Sequence, residues 1–341
     1  MSRVDKVRVG IVGASGFLGG ELVRLLHAHP YVEITMLGGA SSAGKRLAEL
    51  RPGLSVDQPI EAIDANRLAE RCDLVFLALP HGESGSLAKQ LLGYPHLRII
   101  DLGSDFRLRS AADHQTYYGR EPIDEPTLQL AHYSLPELTG APPTDCRLIA
   151  NPGCFATALA LGIHPLKGQL APGARISVCG VTGSSGSGIA PTSRVHHSLR
   201  PTNYAAYKVL SHQHLGELRQ LLGAVDFEVD FVPHSGPMTR GIHLTIMLRK
   251  SECRQHSLAA IYRQAFADAP LVDVQAGPVD MGAVIGSCRA LIGVEGDEST
   301  AVVFVAIDNL LKGGSGQAVQ NMNLLCGWSE TTALPTLATW P

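Results

Sequence analysis

An excess of charge of either sign is missing from this chain of 341 residues. Its 28 lysines and arginines face 31 aspartates and glutamates, a formal −3. That balance removes the electrostatic motive for binding nucleic acid or a membrane surface. No apolar run is long and uninterrupted enough to span a bilayer. The N-terminus, Met1-Ser2-Arg3-Val4-Asp5-Lys6, lacks a signal-peptide core. The seven cysteines, Cys72, Cys146, Cys154, Cys179, Cys253, Cys288 and Cys326, are odd in number and contain no CxxC pair. Neither a disulfide framework nor a zinc site is indicated, which suits a reducing cytoplasm and a metal-free site. Internal repeats and low-complexity segments are also lacking. What is present is length enough for two domains, and many glycines where loops follow strands.

The first half alternates strand and helix. Val7–Val12 reads as a buried strand, followed by the loop Gly13–Gly19 and an amphipathic helix over 20–29 closed by Pro30. Further strands are expected at 32–37, 74–79 and 97–102. Strands spaced by helices imply a parallel sheet. In the second half, 175–181, 227–232, 241–248 and 301–307 read as longer, partly alternating strands of a mixed sheet, with a helix over 257–267. The boundary is expected near Ala150, and the helical segment 317–326 is expected to pack back on the first domain.

Gly13-Ala14-Ser15-Gly16-Phe17-Leu18-Gly19 follows a strand and opens a helix, the context in which such a loop carries a dinucleotide pyrophosphate. The alternative is a plain strand–helix turn. The second strand ends in Gly38-Gly39-Ala40-Ser41-Ser42-Ala43-Gly44-Lys45-Arg46, with no acid for a ribose 2′-hydroxyl. Hydroxyls and cations suit a 2′-phosphate, which favours NADP(H) over NAD; the alternative is an ordinary solvated loop.

Asn151-Pro152-Gly153-Cys154 ends a loop, and Phe155 to Leu166 is an apolar helix-prone run. Cys154 therefore falls in a first helical turn, where unpaired N–H groups favour a thiolate nucleophile. The competing reading is a small buried core residue. A thiolate that forms an acyl intermediate needs an acid–base partner, and Ser211-His212-Gln213-His214-Leu215-Gly216-Glu217 supplies candidates in His212 and Glu217. The pair His212 and His214 alone would be an incomplete metal site, and the competing reading is that either histidine caps or decorates a surface helix. A second glycine-rich loop, Gly183-Ser184-Ser185-Gly186-Ser187-Gly188, can hold an anion on its N–H groups and hydroxyls. Arg107 can pair with a phosphate or carboxylate, or with Asp101 or Asp105 in a structural salt bridge.

Taken together these segments resemble the N-acetyl-γ-glutamyl-phosphate reductases, the arginine-biosynthesis branch of the aspartate-semialdehyde dehydrogenase superfamily. The resemblance is carried by Ile149–Ala158 continuing to Gly162-Ile163-His164-Pro165, and by Gly13–Gly19. It extends to Leu77–Gly82, Asp101–Leu108 and Gly313–Asn323. It implies an α/β fold: a Rossmann-type doubly wound parallel sheet over residues 1–150, completed by 312–341, and an α+β catalytic and oligomerisation domain with a mixed sheet over 151–311. It implies that Cys154 attacks an acyl phosphate and that the resulting thioester accepts hydride from NADPH. His212 would be the acid–base group and Glu217 the acid that orients it. Gly13, Ser15, Gly16, Phe17, Leu18, Gly19, Ser41, Ser42, Pro80, Gly82, Gly183 and Asn321 would bind the cofactor. Arg107, Asn151, Ser184, Ser185 and Ser187 would bind the small-molecule substrate. A homodimer or homotetramer in the cytoplasm is implied as well. One departure is Ile189-Ala190-Pro191, where many members carry a basic residue. It keeps open an aminoadipyl phosphate on a carrier protein, or aspartyl phosphate, as substrate.

Two other readings compete. Tyr204-Ala205-Ala206-Tyr207-Lys208 matches the Tyr-x-x-x-Lys of short-chain dehydrogenases and epimerases, in which the two residues lie one helical turn apart. That reading leaves Cys154 without a role. A non-catalytic NADP-binding sensor would have no need of Cys154, His212 and Glu217 together.

Overall fold

The computed structural model describes residues 6–54, 56–254 and 257–339. It divides into two compact units. One runs to Pro152 and resumes over Gly314–Leu334; the other comprises Gly153–Gly313 and the segment from Pro335.

The first unit is built on strands β1 (Val7–Val12), β2 (Val32–Gly39), β3 (Ile60–Ala62), β4 (Leu74–Leu77), β5 (Arg98–Asp101), β6 (Ala131–Tyr133) and β7 (Leu148–Ala150). Their order is β3-β2-β1-β4-β5-β7-β6, and every pairing is parallel. A parallel sheet covered on both faces needs strands that are apolar throughout. Accordingly β4, Leu-Val-Phe-Leu, is buried at each position. Helices α1 (Phe17–His27), α2 (Ala65–Arg71) and α3 (Ser84–Leu92) follow β1, β3 and β4. Asp64 caps α2 by accepting from the Arg67 N–H. Strand order reverses between β1 and β4, and the loops leaving their carboxyl ends flank the crevice where such sheets bind ligands.

The second unit carries helices α4 (Cys154–Ile163), α5 (His214–Leu222) and α6 (Leu258–Ala265). Its strands are β8 (Ala174–Thr182), β9 (Ala205–Ala206), β10 (Phe227–Ser235), β11 (Ile242–Arg249), β12 (Val272–Ala276), β13 (Ala290–Gly296) and β14 (Thr300–Ile307). The order is β12-β13-β14-β11-β8-β10-β9, with β8–β10 and β12–β13 parallel and the rest antiparallel. Along β8 burial alternates strictly through Gly180, so one face is packed and the other is open. The packed face carries α4, whose Gly162 fits closely against Val305 and Ile246. Tyr262 of α6 is fully buried there, its hydroxyl donating to the Gly162 carbonyl.

The C-terminal segment departs from expectation. Helix α7 (Gly316–Leu325) does return to the first unit. Ser315 Oγ donates to the Leu18 carbonyl at 2.8 Å, and His29 Nε2 lies 3.0 Å from Asn323 Oδ1. The chain from Pro335 instead belongs to the second unit. There the Cys288 N–H donates to the Pro335 carbonyl and the Thr339 N–H to the Ile285 carbonyl. These local hydrogen bonds outweigh chain continuity with α7. Residues 1–5, 55, 255–256 and 340–341 lie outside the described residues, so the expectations for the N-terminus and the last two positions are not addressed there. No helix among the described residues is long and apolar enough to cross a membrane.

Candidate active site

The loop after β1 is closed by its own backbone. Gly13 and Ala14 N–H groups donate to the Gly38 carbonyl, and the Ala78 N–H donates to the Val12 carbonyl. The loops leaving β1, β2 and β4 are thereby held together. Gly13 has φ +87°, and a Cβ there would strike the Ala78 carbonyl oxygen; a Cβ at Gly19 would strike the Gly13 carbonyl oxygen. Only glycines allow this turn, and it leaves the first-turn N–H groups of Phe17, Leu18 and Gly19 without intrahelical acceptors. That is a fit for a pyrophosphate. Ser15 Oγ donates to Ser42 Oγ at 3.1 Å, so Ser42, which is buried, ties the loop to the end of β2. Ser41 and Lys45 stay exposed beside it. Arg46 is engaged with Asp57 at 2.5 Å. After β4, Asp105 accepts from the Gly82, Ser84 and Gly85 N–H groups at 2.9, 2.9 and 3.0 Å and pairs with Arg120. This carboxylate, which lies in the Asp101–Leu108 segment and reads from sequence only as a salt-bridge partner of Arg107, fixes the Pro80–Gly82 turn.

At the neighbouring strand ends the expected substrate ligands turn inward. Arg107 is buried; its Nε donates to the Asn151 carbonyl at 2.8 Å and its Nη2 to the Leu102 carbonyl at 2.7 Å. Asn151 Nδ2 donates to the Gly314 carbonyl at 3.2 Å, and its Oδ1 accepts from Asn321 Nδ2 at 3.1 Å. Asn321 Oδ1 accepts from Ser134 Oγ at 2.9 Å. In this fold the three side chains form a scaffold across the ends of β5, β6 and β7. The local sequence gave no sign of it because the partners lie up to 187 residues apart. Asp101, fully buried next to them, is pushed up to about 7, first by burial and then by Asp105.

In the second unit, Cys154 is the first residue of α4, with Gly153 as N-cap in extended conformation (φ −72°, ψ 151°). It is half-buried, neither sealed in the core nor loose on the surface. The positive end of a ten-residue helix acts on its sulfur. Glu217 on α5 is wholly buried and its Oε2 accepts from the Gly153 N–H at 2.9 Å. Its Oε1 lies 3.8 Å from His214 Nε2; at i, i+3 these two share a helix face. His212 precedes the helix. Its Nδ1 accepts from the His214 N–H at 3.2 Å, so the neutral ring carries its proton on Nε2. Phe155, Phe231, Tyr207 and His214 enclose His212, with ring centroids 4.7 to 5.7 Å away. Burial, aided by Lys208, pulls its pKa down to about 3. Burial, then the adjacent Cys154 sulfur, pushes the Tyr207 phenol upward.

Tyr207 is thus part of the cysteine cluster, whereas the Tyr204/Lys208 pair is not a helical one. Ala205–Ala206 is strand and Lys208 has φ +44°. That geometry removes the dehydrogenase/epimerase reading. The second glycine loop is a short turn over Ser184–Ser187. Its Ser184 and Ser185 N–H groups donate to the Met238 and Thr239 carbonyls, and those of Gly186 and Gly188 close the turn internally. Ser185 Oγ is buried against Asn309, while Ser187 is exposed. The loop amides are mostly committed, leaving the Ser187 hydroxyl as its open group. Among the described residues no three His, Cys, Asp or Glu side chains gather as a metal site.

Comparison with known proteins agrees with both halves. Residues 8–142 match the semialdehyde dehydrogenase NAD-binding domain, and residues 154–309 match the semialdehyde dehydrogenase dimerisation domain. An N-acetyl-γ-glutamyl-phosphate reductase of Picosynechococcus is 41 % identical, with all of both chains covered. One from Desulforamulus reducens is 39 % identical over 98 % of this chain and all of its own. Aspartate semialdehyde dehydrogenase II of Vibrio cholerae superposes with TM-score 0.71 at 17 % identity, covering 95 % of this chain and 99 % of its own. The Candida albicans aspartate semialdehyde dehydrogenase, solved with NADP, gives 0.67 at 16 %, over 94 % and 99 %. At those identities the structures speak for the fold. With full-length relatives at this level of identity, the chain belongs to the N-acetyl-γ-glutamyl-phosphate reductase family of semialdehyde dehydrogenases.

Proposed function

We propose that the protein reduces N-acetyl-L-glutamyl 5-phosphate to N-acetyl-L-glutamate 5-semialdehyde and phosphate, in arginine biosynthesis in the cytoplasm, as a homodimer or homotetramer. The observation that carries the reading is Cys154, half-exposed at the head of α4 with its preceding amide fixed by a buried carboxylate. The Cys154 thiolate attacks the acyl carbon, the bond from that carbon to the phosphate oxygen breaks, and phosphate leaves with the electron pair. When bound, NADPH supplies the hydride that the resulting thioester needs. The carbon–sulfur bond then breaks, releasing the aldehyde and restoring the thiolate. His212, carrying its proton on Nε2, is a ready donor to the oxygen that gains negative charge at each addition. Taking up a proton at Nδ1 requires that ring to release the His214 N–H. Gly13, Ser15–Gly19, Pro80 and Gly82 would hold the dinucleotide, and Ser41 with Lys45 would select NADP over NAD.

The test is the reverse assay with NADP+, phosphate and N-acetylglutamate semialdehyde, set against shorter and longer semialdehydes and against NAD+. Preference for the acetylated five-carbon aldehyde is expected. Equal or better use of aspartate semialdehyde would overturn the substrate assignment.

A further inference from the structure

We propose that Arg200 is an oxyanion-binding residue of this site, its Nε–H and Nη2–H fork receiving two oxygens of the substrate's phosphoryl group or carboxylate. The proposal rests on the acyl-phosphate reading above. Arg200 is 7 % exposed. Its Nη1 donates to Ser235 Oγ at 2.8 Å, and among the described residues neither Nε nor Nη2 meets a hydrogen-bond partner. A guanidinium removed from water without an anion is costly, and burial accordingly lowers the pKa of this one. The two unmet N–H groups lie on one edge of the planar fork, the edge that matches a pair of carboxylate or phosphate oxygens.

A second unmet group lies beside it. Thr182 is 6 % exposed and its Oγ1 has no partner among the described residues. Thr182 and Ser235 are register partners in the parallel β8–β10 pair, so their side chains share a face. That face carries the nucleophile's helix: Gly180, two residues back along β8, packs on Phe155 and Phe231, and Phe155 follows Cys154. The chain leaving Arg200 runs through β9, where Ala205 pairs with Ser235, to Tyr207, which senses the Cys154 sulfur. Buried donors left open, on the face and strand end that lead to the nucleophile, specify an anionic ligand rather than a structural ion pair.

The experiment uses the full-length enzyme with Arg200→Gln, Arg200→Lys and Thr182→Val. In the reverse assay Arg200→Gln should raise one KM about tenfold or more, the loss expected for a charge-assisted bidentate contact. A rise in the phosphate KM assigns the fork to the phosphoryl group, and a rise in the semialdehyde KM assigns it to the carboxylate. Arg200→Lys, which keeps the charge without the fork, should fall between. Thermal shifts are measured in parallel with inorganic phosphate and with N-acetylglutamate as probes, so the readout does not require turnover. The wild type should be stabilised by one of them and Arg200→Gln should not. Without anion, Arg200→Gln should be at least as stable as the wild type, because it removes a buried unpaired charge. Unchanged KM values with unchanged thermal shifts would overturn the proposal. So would a variant that keeps both KM values but dissociates the oligomer. A wild type that binds phosphate through Arg200 yet turns over no semialdehyde would leave the anion site standing and remove the reaction.

Discussion

Glu217 accepts a hydrogen bond from the Gly153 amide across 64 residues of chain, at 2.9 Å and without exposure to solvent. The contact fixes the peptide immediately before Cys154. It joins the N-terminus of α4 to α5, the helix entered just after His212. The segments that carry Cys154 and His212 are therefore joined through a buried carboxylate. An acceptor buried this completely makes its removal informative.

Glu217→Ala should leave the Gly153 N–H buried and unmet. The expected cost is about 1–3 kcal/mol of stability, with a lower kcat from a displaced Cys154. Glu217→Gln retains an oxygen acceptor and should recover most of both. Urea unfolding and steady-state kinetics on the two variants test this. Equal damage by Gln and Ala would show that the charge, rather than the acceptor, matters.

Cys154→Ser should abolish acyl-phosphate reduction while NADPH binding, followed by cofactor fluorescence, stays near the wild-type value. In the proposed reaction the sulfur forms the intermediate, and it is absent from the glycine loop that would hold the dinucleotide. His212→Asn should lower kcat by about two orders of magnitude or more, on the usual scale of acid–base and oxyanion contributions. A change confined to KM would make His212 a substrate anchor instead.

The parts of this molecule that were legible in its sequence are those set by local chemistry. Gly13 to Gly19 announces its turn because only glycine tolerates φ +87° at Gly13 and the close approach at Gly19. Pro152 and Gly153 announce the start of α4 in the same way. Strands of two or three residues, such as β3, β6, β7 and β9, are too short to express a period of two and leave no mark. β13 is interrupted by Gly293 and carries little β-branched character, so it reads weakly. The burial of Arg107, Asn151 and Asn321 is set by tertiary partners, and a residue type fit for a ligand is equally fit for a scaffold. Tyr207 shows only as part of a Tyr-x-x-x-Lys string, a helical pattern that the strand at Ala205–Ala206 and the left-handed Lys208 replace.

Gly19→Ala should weaken NADPH binding by at least an order of magnitude, since the added methyl meets the Gly13 carbonyl and opens the turn. Gly16→Ala meets only that same oxygen at 3.4 Å and should fold normally, so any loss of binding there reports the space the pyrophosphate needs. Titration of both variants with NADPH distinguishes the two effects. Unaltered binding in both would remove the loop from the cofactor site.

His212 should make the fold acid-sensitive. Its pKa falls from the ordinary 6.5 to about 3 in the folded chain, chiefly by burial. Between those values the unfolded chain binds the extra proton, so the contribution is complete above about pH 6.5 and is lost as pH falls toward 3, at roughly 1.4 kcal/mol per unit. His29, His114, His132, His164 and His243 are lowered by burial as well and act with the same sign. Asp101, raised to about 7, acts with the opposite sign: its contribution is fully present below the ordinary carboxylate range and is lost as pH rises through 7. Comparing one variant with the wild type cancels these shared terms. Urea unfolding at pH 7.5 and 5.5 should therefore show His212→Asn losing about 1 kcal/mol less than the wild type on acidification. An equal loss in both would mean that His212 takes up its proton freely in the folded chain, and the neutral Nε2–H donor assigned to it would be wrong.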